Sequence, residues 1–227
     1  MFFRPAIIII SLLFSCLGLY AQTPDQSSTI RIHIWSELDA YPGLKEAQDT
    51  SSGVFDYPVS RIKEVSPFLI NGMVYGWNFT YVPSDKLRNV SEFFEIEPIA
   101  EITDKSKIEY QKPWIQDNLI HCFARYEKTP EEIWSHRTWT SISVKKAHGA
   151  GVCSVAKGFD GITEAATNAV KDAVRNFYRP IIKNKPKEIR GKVIISSEPM
   201  IGIKEGNYLI QLDFLLESDR IIMYTQF

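Results

Sequence analysis

Apolar and polar residues alternate from Ile30 to Trp35, with Ile30, Ile32 and Ile34 set against Arg31, His33 and Trp35. This two-residue period predicts a half-buried strand. Ser36 to Tyr57 is polar and interrupted by Pro42, Gly43 and Gly53, which predicts a loop with one helical turn near Leu44–Gln48. From Pro67 to Val82 the pattern predicts two strands around Asn71-Gly72, a two-residue hairpin signal. Tyr75, Trp77, Phe79 and Tyr81 then occupy alternate positions and share one strand face. Lys86 to Phe94 has the spacing of a short helix. Phe94 to Ile102 alternates again, and Pro98 makes it an edge strand.

The second half predicts a strand over Asn118 to Tyr126. A short helix follows, opened by Thr129-Pro130-Glu131-Glu132, with proline at the first helical position and acids in the first turn. Trp139 to Lys146 and Gly151 to Lys157 read as two strands joined by a turn at Ala147-His148-Gly149-Ala150. Ile162 to Tyr178 carries apolar residues at three- and four-residue spacing, with Asp160 and Thr163 as candidate caps. Ala165, Ala169 and Ala173 give this helix a ridge of small residues on which it can approach a sheet closely. Strands follow over Lys192 to Ser197, Ile201 to Lys204, Tyr208 to Leu216 and Arg220 to Gln226, with a turn at Ser218-Asp219. Strands without regular helical crossovers, plus one long helix at about 160–179, predict an α+β fold: a mainly antiparallel sheet with an amphipathic helix across it. The run Val155-Ala156-Lys157-Gly158, the alanine-rich helix ending Asp172-Ala173-Val174-Arg175 and the apolar strands beyond are similar to small secreted domains of bacterial envelope and flagellar accessory proteins. The resemblance rests on alanine periodicity and carries no site residue with it.

The N-terminus changes the picture most. Arg4, the apolar run Ala6 to Phe14, the small residue Ala21 and the polar Thr23 to Ser28 follow one another in the order of a secretory signal peptide, residues 1–21. No later segment is long and apolar enough to span a membrane. The alternative processing site is Leu13-Phe14-Ser15-Cys16, a relaxed lipoprotein box that would tether the chain through Cys16. The localisation expected is periplasmic or extracellular, with or without that tether. Either route leaves Cys122 and Cys153, an even pair in an oxidising compartment. They are read as one disulfide or as two buried thiols. The charged stretch Thr103 to Pro113 divides a β-rich half, 22–112, from an α+β half, 113–227, as two domains or as parts of one.

Composition adds exclusions. The 227 residues carry a net charge of −1 and are 44% hydrophobic, so the chain is an ordinary globular protein without the basic excess that nucleic acid demands. The histidines His33, His121, His136 and His148 have no metal-ligand spacing, and no Cys-x-x-Cys pair is present, so no metal and no cofactor are expected. Three Ser-x-x-Lys matches occur, two of them on predicted strands, where an offset of three turns the side chains apart. Carboxylates are plentiful, and the acid pairs Glu37/Asp39, Glu95/Glu97 and Glu131/Glu132 are candidates for glycoside chemistry. The aromatic row Tyr75, Trp77, Phe79 and Tyr81 is the candidate ligand face, with a buried sheet face as the competing reading. The lysines and arginines between Lys183 and Lys192 suit an anionic lipid surface or glycan, or a solvated helix end. The function expected is that of an exported, non-catalytic binding or scaffolding protein of the cell envelope, its partner an envelope protein or glycan. The alternatives are a glycan hydrolase with paired carboxylates and a lipid-anchored accessory subunit of an envelope machine.

Overall fold

The computed structural model describes residues 28–43, 53–140 and 144–224. Among them run nine strands and three α-helices: β1 (Thr29–Glu37), α1 (Asp56–Val74), β2 (Trp77–Val82), β3 (Phe93–Pro98), β4 (Glu109–Gln116), β5 (Leu119–Glu127), α2 (Pro130–Arg137), β6 (Lys145–Ser154), α3 (Gly158–Tyr178), β7 (Glu188–Ile195), β8 (Met200–Lys204) and β9 (Asn207–Ile222). Every pairing is antiparallel. A three-stranded sheet has the order β1-β5-β4. A six-stranded sheet has the order β3-β2-β7-β9-β6, with β8 also on β9. The fold is α+β, with the long helix α3 across the larger sheet.

Small residues set the contact between α3 and β6. Ala165, Ala169 and Ala173 are fully buried on the helix. Opposite them lie Gly149 and Gly151, where an added Cβ would stand 2.0 Å from the carbonyl oxygens of Ala169 and Ala165 respectively. Helix backbone and strand backbone therefore touch, which no residue larger than glycine permits. This corrects the expected turn at Ala147–Ala150: the glycines serve a close approach, and β6 runs unbroken through them. Helix α3 starts at Gly158, ahead of the expected caps, with no side-chain cap hydrogen bond.

The expected Asn71-Gly72 hairpin is also corrected. The segment is the end of α1, because Ile62, Val65, Leu69, Ile70 and Val74 recur with helical period and are all buried. Gly72 is small because the Trp77 indole lies against it, 2.2 Å from where a Cβ would sit. Asn71 holds the chain after β3: its amide donates to the Ala100 carbonyl at 2.9 Å, and its oxygen accepts from Ile102 N at 3.0 Å. The segment expected as a short helix at Lys86–Phe94 is a turn closed by the Asp85–Val90 bridge, followed by β3. Ser218-Asp219 is no turn. Strand β9 continues through it, and the register with β7 jumps from Arg190↔Arg220 to Gly191↔Ser218, a bulge at Asp219.

The chain interleaves across the soft boundary at 112/113, which falls inside β4 at its own register shift. Strand β1 pairs with β5, and β2 with β7. The signal segment 1–21, with Cys16, and the expected turn near Leu44–Gln48 lie outside the described residues. Among those described, no helix is long and apolar enough to cross a membrane.

Candidate ligand-binding cleft

Strands β1 and β5 each bury one face and leave the other open. Ile30, Ile32 and Ile34 pair with Tyr126, Ala124 and Cys122 on the buried face. The same register puts Arg31, His33 and Trp35 of β1 beside His121, Phe123 and Arg125 of β5 on the outer face. Trp114 of β4 sits directly across from His121. These side chains form a nearly parallel array: Trp114 and His121 rings lie 5.0 Å apart, Trp114 and His33 5.3 Å, His33 and His121 5.2 Å, each pair inclined by 11°. His33 Nε2 and His121 Nδ1 share a hydrogen bond of 3.1 Å. One ring must donate and the other accept, so the contact excludes a doubly protonated pair. Burial lowers the His33 pKa below its usual value; His121 pushes it the same way and Glu198 opposes. The Arg31 guanidinium covers the Phe123 ring at 3.7 Å.

His33, Trp35, Trp114 and Phe123 wall a cleft of about 760 Å³ whose other side is the outer face of β9 and β6 with the segment before β8 and its first residues, Met200 and Ile201. Two hydrogen bonds lock the walls together. Trp35 Nε1 donates to the Ile201 carbonyl at 3.0 Å, and His33 N donates to Glu198 Oε1 at 2.6 Å, capping the free edge of β1. The far wall offers Gln211, Asp213, His148 and Ser197. Asp213 Oδ1 meets His148 Nδ1 at 2.8 Å, and Asp213 Oδ2 accepts from the Ser197 hydroxyl at 2.8 Å. The His148 bond, then the Ser197 bond, holds the Asp213 carboxyl below its usual range. Serine and histidine both bind the carboxylate, not each other, whereas an activated serine needs its base in contact. Among the described residues no cluster of three or more His, Cys, Asp or Glu has metal-holding geometry.

The residues singled out from sequence lie elsewhere. Trp77, Phe79 and Tyr81 do share a face of β2, but that face is core: Trp77 and Phe79 are each 2% exposed. Tyr75 is not on the strand; it caps α1, and its hydroxyl donates to Glu132 at 2.8 Å. Burial, reinforced by Glu132, pushes the Tyr75 phenol up to about 12. Trp77 packs against Gly72 of α1, and Phe79 and Tyr81 pack against Phe94 of β3, which is the competing reading of the row as a buried sheet face. Cys122 and Cys153 are free buried thiols, on the three-stranded and the six-stranded sheet respectively, which corrects the disulfide. Burial pushes the Cys122 thiol up to about 11. Glu95 and Glu97 are exposed on β3. Glu132 is buried in a capping box with Thr129 and also accepts from the Tyr126 hydroxyl. Glu37 accepts from the Tyr208 hydroxyl at 3.0 Å.

A protein-family model matches residues 15–224. The chain belongs to that family. An uncharacterized protein of Treponema pallidum (strain Nichols) is 29% identical over 198 residues, 87% of this chain and 82% of that protein. No solved structure matches. All residues of the cleft fall inside the matched span. Sequence reading missed the cleft, although Arg31/His33/Trp35 and His121/Phe123/Arg125 each stand out as the non-aliphatic face of a strand. What it lacked was the register that joins His33 to His121.

Proposed function

We propose that the protein is an exported binding protein of the cell envelope, and that its cleft holds an envelope glycan without cleaving it. The observation that carries this reading is the half-buried pair Trp114 and His33, stacked with His121 behind the lining and facing Gln211 and Asp213 across an open cleft. Flat rings suit the apolar face of a sugar, and an amide and carboxylate opposite suit its hydroxyls. The signal-like N-terminus supports export. Calorimetric titration with soluble peptidoglycan fragments tests the reading. The expected result is saturable binding that is lost in Trp114→Ala, with the glycan recovered intact.

The hydrolase reading has one observation in its favour, because Trp114 shares its cleft with Glu198 and Asp213. A glycosidase needs one carboxyl held protonated near neutral pH. Asp213, held below its usual range, suits only the ionised member of such a pair, and Glu198, left to be the acid, already accepts from His33 N at 2.6 Å. Chromatography of the glycan after long incubation separates the two readings. Fragments produced by the wild type and not by Asp213→Asn would establish hydrolysis.

A further inference from the structure

A second feature lies at the C-terminal end of α3, away from the cleft. Two cavities of about 740 and 550 Å³ adjoin there and share Lys183 and Lys185. Lys86, Arg88, Arg175 and Arg179 complete their basic lining, against only Asp85 and Asp172. Both carboxylates are engaged: Asp85 with Arg88 at 2.6 Å and Asp172 with Ala150 N at 3.2 Å. Arg175 lies 3.9 Å from Glu92. Lys86, Arg179 and Lys183 have no carboxylate within ion-pair distance among the described residues. A chain of net charge −1 thus gathers an excess of cations at one place.

The same place exposes apolar side chains. Leu87 is 96% exposed, Ile181 60% and Met223 45%. Leu87 and Met223 line the larger cavity beside the cations, and Ile181 lies between Arg179 and Lys183 in sequence. Leu87 is fixed in its position. Buried Asp85 accepts from the backbone N–H groups of Leu87 and Arg88 at 3.0 and 3.4 Å, and the Asp85–Val90 bridge closes the turn behind them. A soluble anion would need the cations alone. Apolar tips set among them match a surface with anionic headgroups outside and hydrocarbon beneath.

We infer that this face docks on an anionic membrane surface, with Leu87, Ile181 and Met223 entering the headgroup layer and the surrounding cations meeting lipid phosphates. The inference is independent of the glycan cleft. The test is co-sedimentation of the exported chain with vesicles of phosphatidylcholine alone or with about a third phosphatidylglycerol. The readout is the difference between the two, because an acyl chain or leader would contribute to both. The expected difference is at least about tenfold at low salt, and added salt erases it. Arg179→Glu with Lys183→Glu should remove it, at about fivefold for each cation lost. Leu87→Ser should weaken binding several-fold while the salt dependence persists. All three positions are exposed, so unchanged thermal melts will show that the variants fold. Equal binding to both vesicles, or a difference unaffected by the charge reversals, would overturn the proposal. So would full binding by Leu87→Ser with competition by millimolar pyrophosphate, which would make this a site for soluble anions.

Discussion

Two contacts between layers set the character of this molecule, and they are built from opposite materials. Along α3 and β6, alanine meets glycine, backbone lies on backbone, and nothing is left open. Between the two sheets, tryptophan, histidine and phenylalanine meet a wall of mixed polar and apolar residues across an open cleft, held at its edge by the Trp35 and His33 hydrogen bonds. The first contact derives its stability from the absence of side chains. The second keeps large side chains partly wet, which is costly unless something covers them. Small residues mark where this fold is closed, and half-buried rings mark where it stays open.

The largest effect that sharpens the contrast comes from two tryptophans. Trp77→Ala removes a ring from the core beside Gly72 and should cost about 4 kcal/mol of unfolding free energy in a denaturant titration. Trp114→Ala on the cleft wall should cost no more than about 1 kcal/mol in the same titration. Equal losses would mean that the cleft wall is core. Next comes Gly149→Ala, which drives a methyl group into the Ala169 carbonyl and should cost about 3 kcal/mol, because backbone and not a flexible side chain must yield. A neutral outcome would mean that α3 and β6 separate easily.

A smaller signature is chemical. Cys122 and Cys153 are free and buried, so reduction should leave the intact mass unchanged. Alkylation of the native chain should run at least ~100-fold slower than in denaturant, since both thiols become reachable only on opening. The smallest effect is the pH dependence of the cleft. His33 is held below its usual 6.5, first by burial and then by His121, so the unfolded chain binds that proton more readily than the folded one. Its contribution is therefore complete above pH 6.5 and is lost as pH falls through the folded value. Thermal melts from pH 7.5 to 5 should show a decline that is smaller in His33→Asn, with part of the remainder belonging to His136, which burial also holds low.

What could be read from the residues was local. Helix α3, the helix start at Thr129-Pro130 and the edge strand carrying Pro98 each follow from neighbours within a few positions. Three misreadings share one cause, a turn signal overruled by distant packing. Asn71-Gly72 is helical because the apolar face of α1 is buried on both sides of it and Trp77 needs the glycine there, the Gly149 region is strand because α3 covers it, and Ser218-Asp219 is a bulge because β7 pairs on both sides of it. Strand β4 escaped notice because neither of its faces is buried. The cleft was illegible because its deciding contacts join His33 to His121 and Glu198, 88 and 165 positions away. No spacing rule reaches that far.

The most direct test places two variants side by side in a binding titration with soluble peptidoglycan fragments, with thermal melts run on the same preparations. Trp114→Ala should melt with the wild type and lose binding, whereas Trp77→Phe should melt lower and keep it. Retained affinity in Trp114→Ala, or affinity that follows Trp77 instead, would contradict the assignment of the cleft as the binding face.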